Sequence, residues 1–151
     1  MTNSLRIWAV LGLLTLSWAC AQRHSSDGTQ QASLLPVIDT TGSDLDAAQA
    51  QEFIAAHPNA VILDVRTPDE FRAGHIRQAT NINLYDSHFA NQLATLDRGK
   101  TYVVHCAAGL PNGRSRKAIA LMDSLGFKQT HHLNGGFSAW QQAGQPVVKQ
   151  P

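Results

Sequence analysis

The 151-residue sequence predicts an α/β domain built around a parallel sheet. Strand-like and helix-like segments alternate from Pro36 onward, and one strand segment, residues 61–65, is apolar almost throughout. A composition of 43% apolar and 15% charged residues suits a compact core and excludes a wholly disordered chain. The formal net charge of +1 gives no reason to expect nucleic acid as a partner.

The helix predictions rest on caps and on helical spacing. Asp46, with Gln49 three residues later, can cap a helix that ends before Pro58. A second helix follows residue 113 and ends near Gly126. The apolar positions that give these two helices their buried faces are Ala47, Ala50, Phe53 and Ile54 in the first, and Ala118, Ile119, Met122 and Leu125 in the second.

The strand predictions rest on short apolar runs. Residues 61–65 fit a strand that is buried on both faces, and residues 79–84 and 102–105 are further candidates. Residues 131–133 are a weaker candidate, and residues 37–38 form a short apolar pair. Strands and helices in this alternation favour βαβ units, and no internal repeat is visible.

The amino-terminal segment has the pattern of an export signal. A basic residue, Arg6, precedes the apolar run 7–18, which is shorter than the about 20 residues of a membrane span. We expect residues 1–21 to be a signal peptide, residues 22–35 a flexible polar tether, and residues 36–148 the folded domain. Cleavage releases either a soluble periplasmic protein or, if Cys20 is lipidated, a lipoprotein anchored to a membrane.

The chemistry is expected at Cys106, which directly follows a strand. Its loop consists of Ala107, Ala108, Gly109, Leu110, Pro111, Asn112 and Gly113, and Arg114 and Ser115 then open a helix. Small residues allow backbone amides to turn inward, and the helix adds its positive end, so the loop can cradle an anion. The same field lowers the pKa of the thiol and makes Cys106 a nucleophile.

Charge supports an anion site at the loop. Between Asp97 and Asp123 the charged side chains are all positive: Arg98, Lys100, Arg114, Arg116 and Lys117. These five side chains have no negative partner nearby in the sequence, and Arg114 directly follows the loop. A solvated basic helix start is the alternative interpretation.

Two groups of residues resemble the motifs of the rhodanese-type sulfurtransferase domain, over Val37 to about Gly144. The amino-terminal motif is matched in order by Asp64-Val65-Arg66, Glu70-Phe71, Gly74-His75-Ile76 and Asn81-Ile82, and the carboxyl-terminal motif by residues 133–140 (LNGGFSAW). The resemblance implies a five-stranded parallel sheet flanked by helices on both faces. It also implies that Cys106 carries a persulfide between a small sulfur-donor anion, of the thiosulfate type, and a thiophilic acceptor. We expect the protein to need no cofactor and to be a monomer.

The sequence departs from the family pattern at two places. Gln78 stands where the amino-terminal motif usually has glycine, a change that we expect the backbone to absorb. Small rhodaneses usually have four residues between cysteine and arginine, whereas this chain has seven. The second departure leaves the substrate open.

Two other functions remain open. The stretch from Val104 to Ser115 also resembles the phosphate loop of cysteine-dependent phosphatases, which has five intervening residues, and some phosphatases share the fold. A phosphatase also needs a carboxylic acid to protonate the leaving oxygen. The third possibility is a binding module without catalysis.

Several residues have structural alternatives. Asp64 and Arg66 lie at a strand end near the expected substrate site but could equally form ion pairs. Phe137 and Trp140 are expected to pack the last helix onto the sheet. We expect no metal site, because the adjacent pairs His105-Cys106 and His131-His132 would point apart on strands.

The export hypothesis has a direct test in fractionated cells. Processed protein should begin near residue 20, and Cys20→Ser should release it from membranes if Cys20 is lipidated. Intact-mass spectrometry of the recovered protein gives the amino terminus, and immunoblotting of the fractions gives the location. Unchanged fractionation of the variant would favour simple secretion, and cytoplasmic protein beginning at Met1 would contradict export.

Overall fold

The computed structural model describes residues 42–149. The predicted signal peptide, the tether, Cys20 and the apolar pair at residues 37–38 lie outside the described residues. Within residues 42–149, no helix is both long enough and apolar enough to cross a bilayer.

The main sheet has five parallel strands, as the family resemblance implied. They are β1 (Asp44–Leu45), β2 (Val61–Asp64), β4 (Thr80–Asn81), β5 (Thr101–His105) and β6 (Gln129–Leu133). Their order across the sheet is β1-β6-β5-β2-β4. Two further strands, β3 (His75–Ile76) and β7 (Val147–Val148), form a separate antiparallel pair. Because β5 lies in the middle of the five, its carboxyl end opens onto the centre of one sheet edge.

Within residues 42–149, five helices connect the strands. They are α1 (Ala47–Ala56), α2 (Pro68–Ala73), α3 (Phe89–Ala94), α4 (Arg114–Ser124) and α5 (Gly136–Gln142). The predicted capping box of α1 is confirmed, since Asp46 accepts from the Gln49 amide at 2.8 Å and Gln49 accepts from the Asp46 amide at 3.0 Å. Thr67 and Glu70 form a second capping box at α2.

The helices cover both faces of the sheet, and alternate strand residues feed two cores. On one face Leu63 and Val104 belong to a cluster that also holds residues of α3 and α4. On the other face Ile62 and Val103 belong to a cluster that holds residues of α1 and α5. Trp140, 1% exposed, lies in the second core, as expected for a residue that packs the last helix onto the sheet.

The predicted strand at residues 79–84 is shorter in the structure, where β4 covers two residues. It pairs with the last residues of β2, and the side chain of Asn81 adds two hydrogen bonds to this pairing. Its amide donates to the backbone oxygens of Asp64 and Arg66 at 2.8 and 2.9 Å. This motif residue therefore fixes the path of the chain just beyond β2.

Gln78 has a left-handed backbone, with φ of 64°. It occupies the third position of a turn closed by a 3.0 Å hydrogen bond from the Ala79 amide to the Ile76 oxygen. A turn with positive φ at that position normally uses glycine. The backbone thus keeps the glycine-like conformation and bears the strain of a side chain.

We predict that Gln78→Gly stabilises the protein by about 0.5–1 kcal/mol. Relief of left-handed strain is worth about 1–2 kcal/mol, and the greater freedom of glycine in the unfolded chain offsets part of it. Urea unfolding gives the free energy. Gln78→Ala is the control, because alanine keeps a Cβ and should gain nothing; equal gains from both variants would contradict the strain argument.

Candidate active site

Cys106 lies at the carboxyl end of the central strand β5, at the base of the loop 107–113 that leads into α4. The residue is buried, with 3% of its surface exposed.

The loop surrounds the sulfur with hydrogen-bond donors, as the sequence predicts. Burial of the thiol acts to raise its pKa, but donors outweigh it: the Ser115 hydroxyl and amide and the amides of Gly109 and Ala108. The pKa of Cys106 therefore lies below its ordinary value. Each of these donors favours the thiolate over the thiol.

The start of α4 explains why the amides are available. Its N-cap residue is Gly113, which offers no side chain to cap the helix, and the first turn contains no acidic residue. The helices α1 and α2, by contrast, both begin with capping boxes. At α4 the amide of Ser115 donates to the sulfur of Cys106, so the sulfur, once ionised, takes the role of the cap.

The first half of the loop is fixed against the start of α5. The amide of Phe137 donates to the Cys106 oxygen at 2.8 Å, and that of Ser138 to the Ala107 oxygen at 2.9 Å. The loop and the start of α5 are in such close contact that a Cβ on Gly109 would lie 2.5 Å from the Gly136 amide nitrogen. A Cβ on Gly136 would lie 2.5 Å from the Cys106 oxygen. Gly109 of the loop and Gly136 of the carboxyl-terminal motif are therefore needed where the two segments touch.

The second half of the loop is a turn that reaches into solvent. The Gly113 amide donates to the Leu110 oxygen at 2.9 Å, and Leu110 is 61% exposed. Gly113 also borders the sulfur, since a Cβ there would lie 3.6 Å from Cys106 Sγ. Residues 110–112 therefore extend the loop on its solvent side, away from the Ala108 and Gly109 amides that face the sulfur.

Arg114 is held by Glu70. Its two terminal nitrogens donate to the two carboxylate oxygens at 2.6 and 2.8 Å, which makes a bidentate pair. The Arg114 side chain is the main reason that the pKa of Glu70 falls from 4.5 to about 2. Glu70 also accepts from the Thr67 amide, so one carboxylate joins the start of α2 to the start of α4.

The prediction of five unopposed positive charges near the loop is wrong for two of the five. Glu70 pairs with Arg114, and Asp44 pairs with Arg116. Both carboxylates are far away in the sequence and arrive through the fold, so the local sequence could not show them. Arg114 is consequently not a free cation that waits for an anion.

Asp64 and Arg66 form a buried ion pair. Asp64 is fully buried and Arg66 is 3% exposed, and their closest atoms are 2.6 Å apart. Arg66 also donates to the Gly74 oxygen at 2.7 Å and lies over the Phe137 ring at 4.0 Å. This placement fits the ion-pair alternative rather than contact with a substrate.

Ser115, one of the predicted site residues, connects Cys106 to two residues that sequence reasoning missed. Its Oγ lies 3.3 Å from Cys106 Sγ and 2.9 Å from His132 Nε2. His132 Nδ1 in turn lies 3.4 Å from Asp44 Oδ1. In the sequence His132 was visible only as half of a histidine pair, and among residues 42–149 no three potential metal ligands come together.

Comparison with known proteins finds a matching family model and several relatives of this chain. A model of the rhodanese-like domain matches residues 46–143. The putative sulfurtransferase YtwF of Bacillus subtilis is 33% identical over 103 residues, which are 68% of this chain and 94% of that protein. The thiosulfate sulfurtransferase GlpE of Shewanella oneidensis is 34% identical over 82 residues, which are 54% of this chain and 76% of that protein.

A solved structure supports the same relationship. The rhodanese-related protein from Thermoplasma volcanium is 33% identical, with a TM-score of 0.61, and the match covers 70% of this chain and 97% of that one. The chain spans less than half the length of several other curated relatives. The range matched by the family model contains Cys106, its whole loop and the Glu70–Arg114 pair.

The low pKa of Glu70 predicts a specific loss of stability in acid. Because its pKa in the folded protein is about 2 rather than 4.5, its stabilising contribution is complete above pH 4.5 and disappears as the pH falls toward 2. Glu70→Gln should cost about 1–2 kcal/mol at pH 7, a figure reduced for partial solvent exposure, and progressively less in acid.

Urea unfolding of parent and variant at a series of pH values measures this difference. Asp69→Asn is the control, because Asp69 lies on the same helix but its side chain is 86% exposed. That variant should keep the acid dependence of the parent. A constant free-energy gap between Glu70→Gln and the parent at every pH would contradict the argument.

Proposed function

The chain belongs to the rhodanese-like domain family, and on that basis we propose that it is a sulfurtransferase that carries sulfane sulfur as a persulfide on Cys106. The proposal depends on the environment of the Cys106 sulfur. The residue is buried, three amides and a hydroxyl face the sulfur, and the pKa of the thiol lies below its ordinary value. A persulfide anion on Cys106 carries the same charge as the thiolate, so the same donors can stabilise both.

We further propose a donor of the thiosulfate type. The Cys106 thiolate attacks the outer sulfur of thiosulfate, a new S–S bond forms, the old S–S bond breaks, and sulfite leaves with the electron pair. A thiophilic acceptor such as cyanide then attacks the outer sulfur and departs with it, which regenerates the thiolate. The name of the Shewanella relative supports this donor class.

The phosphatase alternative fits these contacts less well. Glu70 has a pKa of about 2, so it is ionised at neutral pH and cannot protonate a leaving oxygen. Asp64 is fully buried and held by Arg66. A phosphoryl group would also bring three oxygens toward a residue that is 3% exposed, and the guanidinium that should hold them is paired with Glu70.

Cys106→Ser tests the proposal. The wild type treated with thiosulfate should gain the mass of one sulfur atom, and cyanide should remove it as thiocyanate. The variant should fold normally and gain nothing, because a serine hydroxyl is far less acidic and cannot hold a persulfide. Intact-mass spectrometry and a thiocyanate assay measure the two steps, and circular dichroism checks the fold.

Two results would contradict the proposal. Sulfur transfer by Cys106→Ser would remove Cys106 from the mechanism. A wild type that hydrolyses an aryl phosphate, yet gains no sulfur, would favour the phosphatase; neither reaction would favour a binding module.

A further inference from the structure

A line of polar side chains runs from the sulfur of Cys106 to the edge of the sheet. Cys106 Sγ lies 3.3 Å from Ser115 Oγ, which lies 2.9 Å from His132 Nε2. On the other side of the ring, Nδ1 lies 3.4 Å from Asp44 Oδ1. Ser115 is fully buried and His132 is 1% exposed, whereas the side chain of Asp44 is 46% exposed.

The fold places these residues together from separate elements. Asp44 and His132 are register partners in the parallel pair of β1 and β6. Ser115 lies in the first turn of α4, which packs on β5 and β6. The His132 ring therefore lies between a carboxylate at the sheet edge and the hydroxyl that touches the sulfur.

The possible hydrogen positions couple the sulfur to the ring. A serine hydroxyl has one proton, so Ser115 cannot donate to Sγ and to Nε2 at the same time. With a neutral thiol, the S–H donates to Oγ, the O–H donates to Nε2, and the ring carries its own proton on Nδ1 toward Asp44. With a thiolate, Ser115 donates to the sulfur, and Nε2 must then carry a proton that it donates to Oγ.

We propose that His132 is a positioning residue that takes the thiol proton of Cys106 through Ser115. The S–H bond breaks as a new Oγ–H bond forms, the original Oγ–H bond breaks, and an Nε2–H bond forms. One proton has then moved from the sulfur to the ring, leaving a thiolate beside Ser115 and an imidazolium beside Asp44. The proposal rests on Cys106 being the reacting group of the proposed sulfurtransferase, and it identifies the base that ionises this group.

Charges around His132 have opposite effects on this transfer. From β1, Asp44 favours the protonated ring, and from α4, Arg116 disfavours it. Positive charge on His132 disfavours positive charge on His105, at the end of β5, and Ser115 lies between the ring and Cys106. Burial is the main reason that the pKa of His132 lies below its ordinary value, so the ring is neutral at neutral pH and able to accept the proton.

Asp44 and Arg116 provide a test in which the proposal reverses the sign expected from simple electrostatics. If the charges act directly on the thiolate, loss of the negative charge of Asp44 should lower the pKa of Cys106, and loss of the positive charge of Arg116 should raise it. Transfer through Ser115 says the opposite, because Asp44→Asn destabilises the imidazolium and Arg116→Gln stabilises it.

The experiment measures the rate at which iodoacetamide alkylates Cys106 as a function of pH. In Asp44→Asn the pH midpoint of alkylation should rise by about one unit, so that the reaction below the midpoint becomes about ten-fold slower. In Arg116→Gln the same midpoint should fall. A shift in the electrostatic direction, or no shift, overturns the proposal. Both side chains are partly exposed, so both variants are expected to fold, and circular dichroism checks this.

His132→Gln separates a base from a simple hydrogen-bond partner. Glutamine can still bond to Ser115 but cannot take the proton, so the midpoint should rise as it does in Asp44→Asn. A midpoint that stays at the wild-type value would overturn the proposal. Alkylation needs no sulfur donor: absence of persulfide in the wild type would refute the proposed function alone, and the wrong alkylation midpoints would refute the relay alone.

Discussion

The sulfur of Cys106 is an acceptor at the start of a helix that has no other cap, and the arrangement of the site depends on this interaction. Amides of Ala108, Gly109 and Ser115 favour negative charge on the sulfur, although burial alone would penalise that charge. Backbone amides can do this only if their positions are fixed. The two hydrogen bonds from the start of α5 and the close contact of Gly109 with Gly136 fix them.

Side-chain charges around the site are largely neutralised by one another. Glu70 accepts hydrogen bonds from both terminal nitrogens of Arg114, and Asp64 forms an ion pair with Arg66. The two pairs connect the segment after β2 to the start of α4 and to the Phe137 ring of α5. An anion above the sulfur would therefore be bound mainly by backbone amides and the helix terminus rather than by a free guanidinium.

The sequence predicted the parts of the fold that have local causes. The cap of α1, the strands β2 and β5, and the cysteine loop ahead of α4 each depend on neighbouring residues. The β3–β7 pair was missed because two-residue strands are too short to show a period. Glu70, Asp44 and His132 were missed as site residues because they reach the loop from other elements, and neither caps nor periodicity report such contacts.

The loop after Cys106 divides into a part that cannot change and a part that can. A Cβ on Gly109 would lie 2.5 Å from the start of α5, whereas residues 110–112 lie in a turn closed by the Gly113 amide and the Leu110 oxygen, and Leu110 is exposed. Insertions or substitutions confined to the turn would alter the entrance to the sulfur without moving the amides of Ala108 and Gly109. In this architecture, the entrance that selects a substrate can vary independently of the amides that make the nucleophile reactive.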